Sequence, residues 1–181
     1  MIFEPTYLAG SYEIKLTPRA DNRGWFARFF CKEEFKQIGH SKEWIQMNHS
    51  CTNNKGAVRG LHFQQSPYRE IKLVRCVAGA VHDVIVDLRK NSPTFLKWYS
   101  TELSAAKKNM LYIPEGFAHG FQTLTEDCEL IYLHTEYYTP AAEAGIRFDD
   151  FAINIQWPLL VSDISERDKQ HPFLDQNFEG I

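Results

Sequence analysis

Short apolar and aromatic runs, each ended by turn residues, recur along most of the chain. The longest covers residues 71–88 and is interrupted only at Ala78-Gly79. Others cover residues 13–18, 25–30, 58–63, 95–103, 111–113, 117–124 and 128–136. Strands at a spacing of about 8 to 12 residues, with turn signals between them, are typical of sandwiches and barrels rather than of alternating strand–helix units. The pattern therefore predicts an all-β fold.

Helical signals are few and short. Residues 32–38 predict a short helix that stops at Gly39, since glycine commonly ends a helix in the left-handed conformation. Residues 104–109 predict one helical turn capped by Ser104, and residues 165–170 predict a terminal helix that ends before Pro172. We expect these helices at the periphery of the β structure.

Composition limits the class of protein. The 181 residues carry 20 Lys+Arg and 23 Asp+Glu, a net charge of −3, so the basic excess of a general nucleic-acid binder is missing. No apolar run reaches the ~18 residues of a membrane span, and the first residues lack the pattern of a signal peptide. Four scattered cysteines without a C-x-x-C pair favour free thiols. We expect one domain over residues 1–181, soluble and cytoplasmic, without nucleic-acid or membrane partners.

Ionisable side chains interrupt several of the apolar runs. They are Arg59, His62, Lys72, His119 and Tyr132. Each alone fits the solvated face of an antiparallel sheet. As a set they are chemically assorted and neighbour Gly or Phe, and a barrel of about eight strands can hold one small ligand in its interior. The set therefore indicates a polar pocket inside the barrel.

Three kinds of chemistry compete for such a pocket. His62 and His119 are candidate metal ligands, but Gln64 stands where a His-x-His pair would need its second imidazole, and three or four protein ligands are usual. A nucleophile motif such as G-x-S-x-G is missing, as are dinucleotide and phosphate-binding glycine patterns. Acid–base chemistry by His, Lys and Tyr remains. A metal-dependent cupin stays open as an alternative.

Several longer motifs follow one another in order along the chain. They are Arg59-Gly60-Leu61-His62-Phe63-Gln64, Lys72-Leu73-Val74-Arg75, Asp83-Val84-Ile85-Val86-Asp87, Pro114-Glu115-Gly116-Phe117-Ala118-His119, Tyr137-Tyr138-Thr139-Pro140 with Glu143, and Gln156-Trp157-Pro158. This ordered series, with family spacing from about Arg23 to Asp168, resembles the RmlC-type dTDP-4-dehydrorhamnose 3,5-epimerase family. The resemblance implies a cupin-type jelly-roll barrel without metal or cofactor. It also implies a homodimer in which N-terminal strands extend the partner's sheet.

The resemblance further implies an activity. Members of the family epimerise a nucleotide-linked 4-keto-6-deoxyhexose, here dTDP-4-dehydro-6-deoxyglucose to dTDP-4-dehydrorhamnose, in deoxysugar or surface-polysaccharide synthesis. By position, His62 resembles the general base, Asp168 its carboxylate partner, Lys72 the group that stabilises the enolate oxygen, and Tyr132 the acid on the opposite face. Substrate-binding roles fall on Arg23, Phe26, Arg28, Gln46, Asn48, Arg59, His119, Tyr138, Glu143 and Arg167. We expect the arginines among these and Lys72 to gather at one pocket for the diphosphate.

Two departures from the family pattern bear on the substrate. Arg28 stands where a Glu commonly contacts the thymine, which makes a CDP-linked sugar an alternative. Glu70 replaces a common Gln near Lys72, so that its negative charge would hold Lys72 protonated. Epimerisation of C3 or C5 alone, on a dTDP- or CDP-sugar, is one alternative activity. A non-catalytic cupin that binds sugar nucleotides is another.

Overall fold

Two antiparallel β-sheets face each other in the computed structural model, which describes residues 1–181. The strands are β1 (Ile2–Pro5), β2 (Tyr12–Lys15), β3 (Arg19–Asp21), β4 (Gly24–Phe26), β5 (Gln46–Thr52), β6 (Ala57–Gln64), β7 (Lys72–Ala78), β8 (Ala80–Asp87), β9 (Trp98–Ser104), β10 (Asn109–Ile113), β11 (Phe117–Thr123), β12 (Cys128–His134), β13 (Glu143–Gly145) and β14 (Asp163–Ile164). Two short helices, α1 (Lys32–Phe35) and α2 (Glu166–Lys169), lie outside the sheets. The all-β prediction is confirmed.

Strand order gives the jelly-roll arrangement. The first sheet runs β1-β2-β10-β7-β12-β5, and the second runs β13-β6-β11-β8-β9 with β14 parallel to β6. Successive strands from β5 to β8 alternate between the sheets, so each crossing places another apolar face on the interior. The strands β3 and β4 form a separate hairpin that pairs with neither sheet.

The core lies between the two sheets. Its central cluster includes Val74 and Leu111 from the first sheet and Val81, Ile85 and Phe121 from the second, all almost fully buried. Burying such side chains stabilises the fold by about 1.5 to 3 kcal/mol each before chain entropy is counted. The packed core fixes the positions of β6, β7, β11 and β12, which carry most of the polar residues singled out in the sequence.

Local structure mostly follows the turn and cap signals. Lys32–Phe35 is helical, a 3-10 turn over Lys36–Ile38 follows, and Gly39 ends it at φ 77°, as predicted. Ser165 caps α2 by accepting a hydrogen bond from the Asp168 N–H at 3.1 Å. All four cysteines are free. Neither helix has the length and apolar character of a membrane span.

Three predicted elements differ from the structure. Residues 105–108, between β9 and β10, form a turn rather than a helical turn, and Lys108 there has a positive φ of 56°. Ser104 caps this turn as predicted, because its Oγ accepts the Lys107 N–H at 3.1 Å. The strand predicted at 95–103 begins only at Trp98, since Leu96 also has a positive φ. The strand predicted at 25–30 ends at Phe26.

The N-terminal strands lie at one edge of the first sheet. β1 pairs with β2, and β2 pairs with β10 of the same chain. β1 is the edge strand, and the extension of a partner's sheet by these strands stays a prediction. The single domain over residues 1–181 stays a prediction.

Candidate active site

A cavity of about 310 Å³ is lined by side chains from both sheets. Nine predicted site residues line it: His62, Lys72 and Tyr132 of the catalytic set, and Asn48, Arg59, His119, Tyr138, Glu143 and Arg167 of the substrate-binding set. An adjoining cavity of about 400 Å³ shares Arg59, His62 and Arg167 with the first and is also lined by Asp168. The fold thus brings together residues that are up to 119 positions apart in sequence.

His62 and Asp168 form a closely bonded pair. Nε2 of His62, on β6, lies 2.8 Å from Oδ1 of Asp168, on α2. The second carboxylate oxygen accepts the N–H of Gly60 at 3.0 Å. Burial alone would raise the pKa of Asp168, but the hydrogen bond and charge of His62, with the Gly60 N–H, lower it to about 2. An ionised Asp168 accepts the Nε2 proton, which leaves Nδ1 of His62, without a hydrogen bond in the chain, as the basic nitrogen.

Gly60 makes this pairing sterically feasible. Its φ is +106°, and a Cβ there would lie 2.6 Å from the carbonyl oxygen of His119 on the neighbouring strand β11. A side chain larger than the single hydrogen atom of glycine is therefore excluded at position 60. Only glycine lets β6 and β11 approach this closely while its N–H points at Asp168.

Arg167 and Glu143 stand at the mouth of the cavity. Nη1 of Arg167 donates to Oε2 of Glu143 at 2.9 Å, and the Tyr138 hydroxyl donates to the same oxygen at 2.7 Å. Nη2 of Arg167 also lies 3.3 Å from Nε2 of His62. That imidazole nitrogen already donates to Asp168, so it cannot accept a hydrogen bond from Arg167. The Nη2 group of the guanidinium is therefore available to an anion.

Lys72 is a buried cation at the cavity wall. Its Nζ lies 3.2 Å from Oε1 of Glu70 and donates to the backbone oxygen of His62 at 3.4 Å. Glu70 in turn accepts from Nδ1 of His134 at 2.6 Å. Burial alone would raise the pKa of Glu70, but His134 and Lys72 lower it. The carboxylate is therefore ionised beside the ammonium, as the sequence indicated.

Tyr132 approaches the cavity from the other sheet. Its strand β12 belongs to the first sheet, whereas His62 lies on β6 of the second. Burial raises the pKa of Tyr132 well above its ordinary value, and its hydroxyl lies 3.1 Å from Oγ of Ser50. At neutral pH the phenol therefore keeps its proton and can donate it.

His119 has a carboxylate partner of its own. Its Nε2 lies 2.9 Å from Oδ2 of Asp83, and both side chains are buried. Sequence reasoning left Asp83 out of the site. The sequence could have indicated Asp83, because this acid lies midway between Val81 and Ile85 on β8, and both of those residues pack into the core. By contrast Asp87, the other acid of β8, pairs with Nη2 of Arg89 at 2.7 Å.

Three predicted substrate-binding residues lie outside the cavity of their own chain. Arg23 is highly exposed and pairs with Asp21, Phe26 is 75% exposed, and Arg28 pairs with Glu34. Arg23 and Phe26 belong to the β3–β4 hairpin, which pairs with neither sheet, and Arg28 lies just after it. The expected gathering of five cations is therefore wrong for one chain: only Arg59, Lys72 and Arg167 meet at the cavity. Gln46 lies at the rim, where its Oε1 accepts the N–H of Tyr138 at 3.0 Å.

Sequence reasoning also missed His134 and His171. His134 occupies the end of β12 and lines the cavity. His171 follows α2, and its Nε2 lies 3.6 Å from Oδ1 of Asp168. The sequence could have indicated both. His134 lies two residues after Tyr132, on the same face of a strand, and His171 lies three residues after Asp168, about one helical turn away.

A metal ion would have to compete with existing contacts. His62, Asp168 and His171 place three ligand atoms within 4.8 Å of one another. However, the guanidinium of Arg167 lies 3.7 Å from the same oxygen of Asp168, and a second positive charge there is electrostatically unfavourable. His119 is held by a different carboxylate, so the two histidines of the sequence hypothesis do not share a partner.

Comparison with known proteins agrees with this geometry. The family model for dTDP-4-dehydrorhamnose 3,5-epimerase matches residues 5–176. The chain belongs to the dTDP-4-dehydrorhamnose 3,5-epimerase family. It is 46% identical over 158 residues to the dTDP-4-dehydrorhamnose 3,5-epimerase of Salmonella typhimurium, covering 86% of each chain.

Solved structures in the family have the same fold. The dTDP-4-dehydrorhamnose 3,5-epimerase of Bacillus anthracis, crystallised with TDP and PPi bound, superposes with a TM-score of 0.93 at 35% identity, covering 96% of this chain and 99% of that one. A 3'-monoepimerase of Streptomyces bikiniensis, in complex with dTDP-quinovose, gives a TM-score of 0.87 at 32% identity, covering 94% and 86%. The predicted cupin-type fold and family are confirmed.

Proposed function

We propose that this protein epimerises C3 and C5 of dTDP-4-dehydro-6-deoxyglucose to give dTDP-4-dehydrorhamnose. One observation carries the proposal: the His62–Asp168 pair and the protonated Tyr132 enter the cavity from different sheets. His62 lies on β6 of the second sheet, and Tyr132 lies on β12 of the first. Inversion needs a base and an acid on opposite faces of the sugar ring. A single group on one face would return the proton to the side it left.

The proton path follows from the two side chains. Nδ1 of His62 removes the proton from the carbon beside the C4 ketone, and the C–H electron pair moves into the ring to form an enolate. The Tyr132 hydroxyl then gives its proton to the opposite face of that carbon, and the electron pair returns to re-form the ketone. His62 has gained one proton and Tyr132 has lost one, and exchange with water restores both before the second centre reacts.

Lys72 and Asp168 support this step electrostatically. Charge develops on the C4 oxygen in the transition state, where a buried ammonium stabilises it more strongly than one in water would. Asp168 fixes the tautomer of His62 and stabilises the imidazolium that forms. These roles require the two charged groups to be held before substrate arrives, as the contacts at 3.2 Å and 2.8 Å hold them.

We assign the diphosphate to the boundary between the two cavities. Arg59 and Arg167 line both of them, and guanidinium groups bind phosphate oxygens in a bidentate manner. Arg167 sits beside His62, so this placement puts the sugar next to the base. Asn48, Tyr138, Glu143 and His119 then surround the sugar.

We also propose a homodimer in which the β3–β4 hairpin reaches a second copy of the chain. The hairpin pairs with neither sheet, and it exposes Trp25 and Phe26 by 51% and 75%. Arg23 and Phe26 lie outside their own cavity, so a substrate-binding role for them requires the cavity of another copy. The segment is apolar and cationic at once, which suits a nucleotide base and its phosphates.

Deuterium uptake tests the proposed activity. The protein is incubated with dTDP-4-dehydro-6-deoxyglucose in deuterated water, and C3 and C5 are followed by NMR. We expect uptake and inversion at both carbons. Uptake at one carbon only would favour the single-centre alternative, as in the 3'-monoepimerase of Streptomyces bikiniensis. No uptake would leave a sugar-nucleotide binder. A preference for CDP over dTDP in a binding assay would move the substrate to a CDP-sugar.

Metal dependence is tested separately. Activity that survives dialysis against a chelator supports the metal-free mechanism. Loss on chelation, with recovery on adding back one divalent metal, would favour a metal-dependent cupin.

A further inference from the structure

A chain of hydrogen bonds connects the rim of the cavity to the Lys72 ammonium. It starts at the Tyr138 N–H, which donates to Oε1 of Gln46 at 3.0 Å. Nε2 of Gln46 lies 3.4 Å from Oδ1 of Asn48, and Nδ2 of Asn48 lies 3.2 Å from Nε2 of His134. Nδ1 of His134 lies 2.6 Å from Oε2 of Glu70, whose Oε1 lies 3.2 Å from Nζ of Lys72.

Strand register builds this chain. His134 on β12 is directly opposite Gln46 on β5 and Lys72 on β7. Tyr132, two residues earlier on the same strand, is opposite Asn48. Residues that face each other across neighbouring strands share one face of the sheet. The polar contacts therefore follow from the pairing of the three strands rather than from a flexible loop.

The direction of every bond is fixed by the first one. A backbone N–H can only donate, so Gln46 must turn its oxygen toward Tyr138 and its NH₂ toward Asn48. Asn48 must then accept with its oxygen and donate with its NH₂ to His134. Nε2 of His134 is consequently an acceptor, and its proton sits on Nδ1, facing Glu70.

A protonated His134 would break this order. Its Nε2–H would face the NH₂ group of Asn48, and relieving that clash by turning both amides would set the NH₂ of Gln46 against the N–H of Tyr138. The neutral Nδ1–H tautomer is the form in which each group of the chain has a partner. Glu70 then accepts one proton from His134 and one from Lys72.

We propose that Glu70 and His134 are positioning residues that orient the Lys72 ammonium for the enolate oxygen. This inference rests on the proposed function. An ammonium has three N–H donors, and Glu70 and the His62 backbone oxygen take two of them. The third is left for the substrate. Because Glu70 is itself held by His134, the direction of that third donor is set before the sugar binds.

Kinetics of three variants test the inference, each compared with wild type on dTDP-4-dehydro-6-deoxyglucose. Glu70→Gln removes the charge and leaves one of the two donors without an acceptor. His134→Phe keeps the ring and removes both hydrogen bonds. For both we expect kcat to fall about 10- to 100-fold, since small misplacements of a catalytic group cost rates of this order. We expect KM to change little, because the lost interaction is made to the enolate rather than to the bound ketone.

His134→Asn provides the rescue. Its side-chain NH₂ lies close to the place of Nδ1 and can still donate to Glu70, so we expect kcat to return to within about threefold of wild type. His49 offers a matched control. It forms an exposed pair with Glu129 at 2.9 Å, on the same two strands but outside the cavity. His49→Asn should leave kcat and KM unchanged.

The tautomer of His134 gives a second measurement that does not depend on turnover. ¹⁵N NMR of the imidazole at pH 7 should show a neutral ring with its proton on Nδ1. A charged ring, or a proton on Nε2, would overturn the inference. The inference would also be overturned if the Glu70→Gln and His134→Phe proteins turn over substrate at the wild-type rate. If His134→Phe does not fold, the kinetics of Glu70→Gln alone decide.

The two proposals fail in different ways. If wild-type protein takes up no deuterium from the substrate, the proposed function fails, and the tautomer still decides whether the hydrogen-bond chain exists. If wild type epimerises and the variants do so equally well, only the role of Glu70 and His134 fails.

Discussion

Oδ1 of Asp168 lies 2.8 Å from Nε2 of His62, although 106 residues separate the two along the chain. Asp168 is nearly fully buried, and its other oxygen is bonded to Gly60 on the strand that carries His62. The carboxylate therefore holds both the imidazole and the backbone beside it. The orientation of the base depends on a four-residue helix packed against the sheet.

His62→Asn should abolish epimerisation with the fold intact. Loss of a general base costs about 10²- to 10⁴-fold in rate, and Asn cannot accept a proton. The variant is assayed by deuterium uptake at C3 and C5, with circular dichroism to verify folding. His49→Asn, an exposed histidine outside the cavity, serves as the control. A His62→Asn protein with near-normal turnover would contradict the assignment of the base.

Tyr132→Phe should separate exchange from inversion. His62 can still remove a proton and return deuterium from the same face, so uptake should continue while inversion falls by at least about 100-fold. Tyr138→Phe is the matched comparison, because that tyrosine lies half-exposed at the mouth of the cavity and donates its hydroxyl proton to Glu143. We expect Tyr138→Phe mainly to raise KM. An inversion defect in Tyr138→Phe alone would exchange the two roles.

Asp168 should make stability depend on acid pH. Its pKa is lowered in the folded protein to about 2 from an ordinary value near 3.8. The unfolded chain therefore binds the proton first as pH falls, and the stabilisation is complete above pH ~4 and lost toward pH ~2. The shift corresponds to about 2 kcal/mol.

Urea unfolding at pH 5 and pH 2.5, at fixed protein concentration, measures this loss. Other paired carboxylates also contribute, so the test is the difference between wild type and Asp168→Asn. The wild type should lose more stability on acidification than the variant. Equal losses would mean that the His62 contact does not lower the pKa of Asp168.

Gly60→Ala should destabilise the fold more than a glycine substitution at an exposed turn. The added Cβ would meet the His119 backbone oxygen at 2.6 Å, on top of a strained φ of +106°. We expect a loss of at least about 2 to 3 kcal/mol. Gly24→Ala is the control, since its φ of +134° is also strained but no atom lies within 4 Å of the new Cβ. Equal free energies of unfolding for the two variants would show that β6 and β11 can separate at no cost.

Mixed dimers should reveal which chain supplies Arg23. If the β3–β4 hairpin serves the cavity of a second copy, Arg23→Ala and His62→Asn proteins complement each other. Both should be nearly inactive alone, and co-refolding them in equal amounts should restore about one quarter of wild-type activity, because half of the dimers carry one intact site. No gain on mixing, with Arg23→Ala inactive alone, would place Arg23 at the site of its own chain.

The fold was largely predictable because its signals are local. Alternation and turn residues located the long strands β7, β8, β11 and β12 and the ends of both helices. Two of the three errors occurred where a residue other than glycine adopts a positive φ, as Leu96 does before β9 and Lys108 does after it. Such a conformation is imposed by tertiary packing, and the residue type does not reveal it.

The site was predictable only in part, because its partnerships depend on register. Family motifs identified His62, Lys72 and Tyr132, and the structure places all three at one cavity. The partners Asp83 and His134 were missed, since each meets its neighbour across strands. The hairpin residues Arg23 and Phe26 show the opposite case. Both match the family pattern in sequence, but in a single chain both lie away from the cavity.

Asp168 lies on the last helix of the chain, beyond every strand of the two sheets. The pairing of the strands and the orientation of the base therefore depend on different segments. A substitution confined to α2 can free the imidazole of His62 while both sheets stay paired.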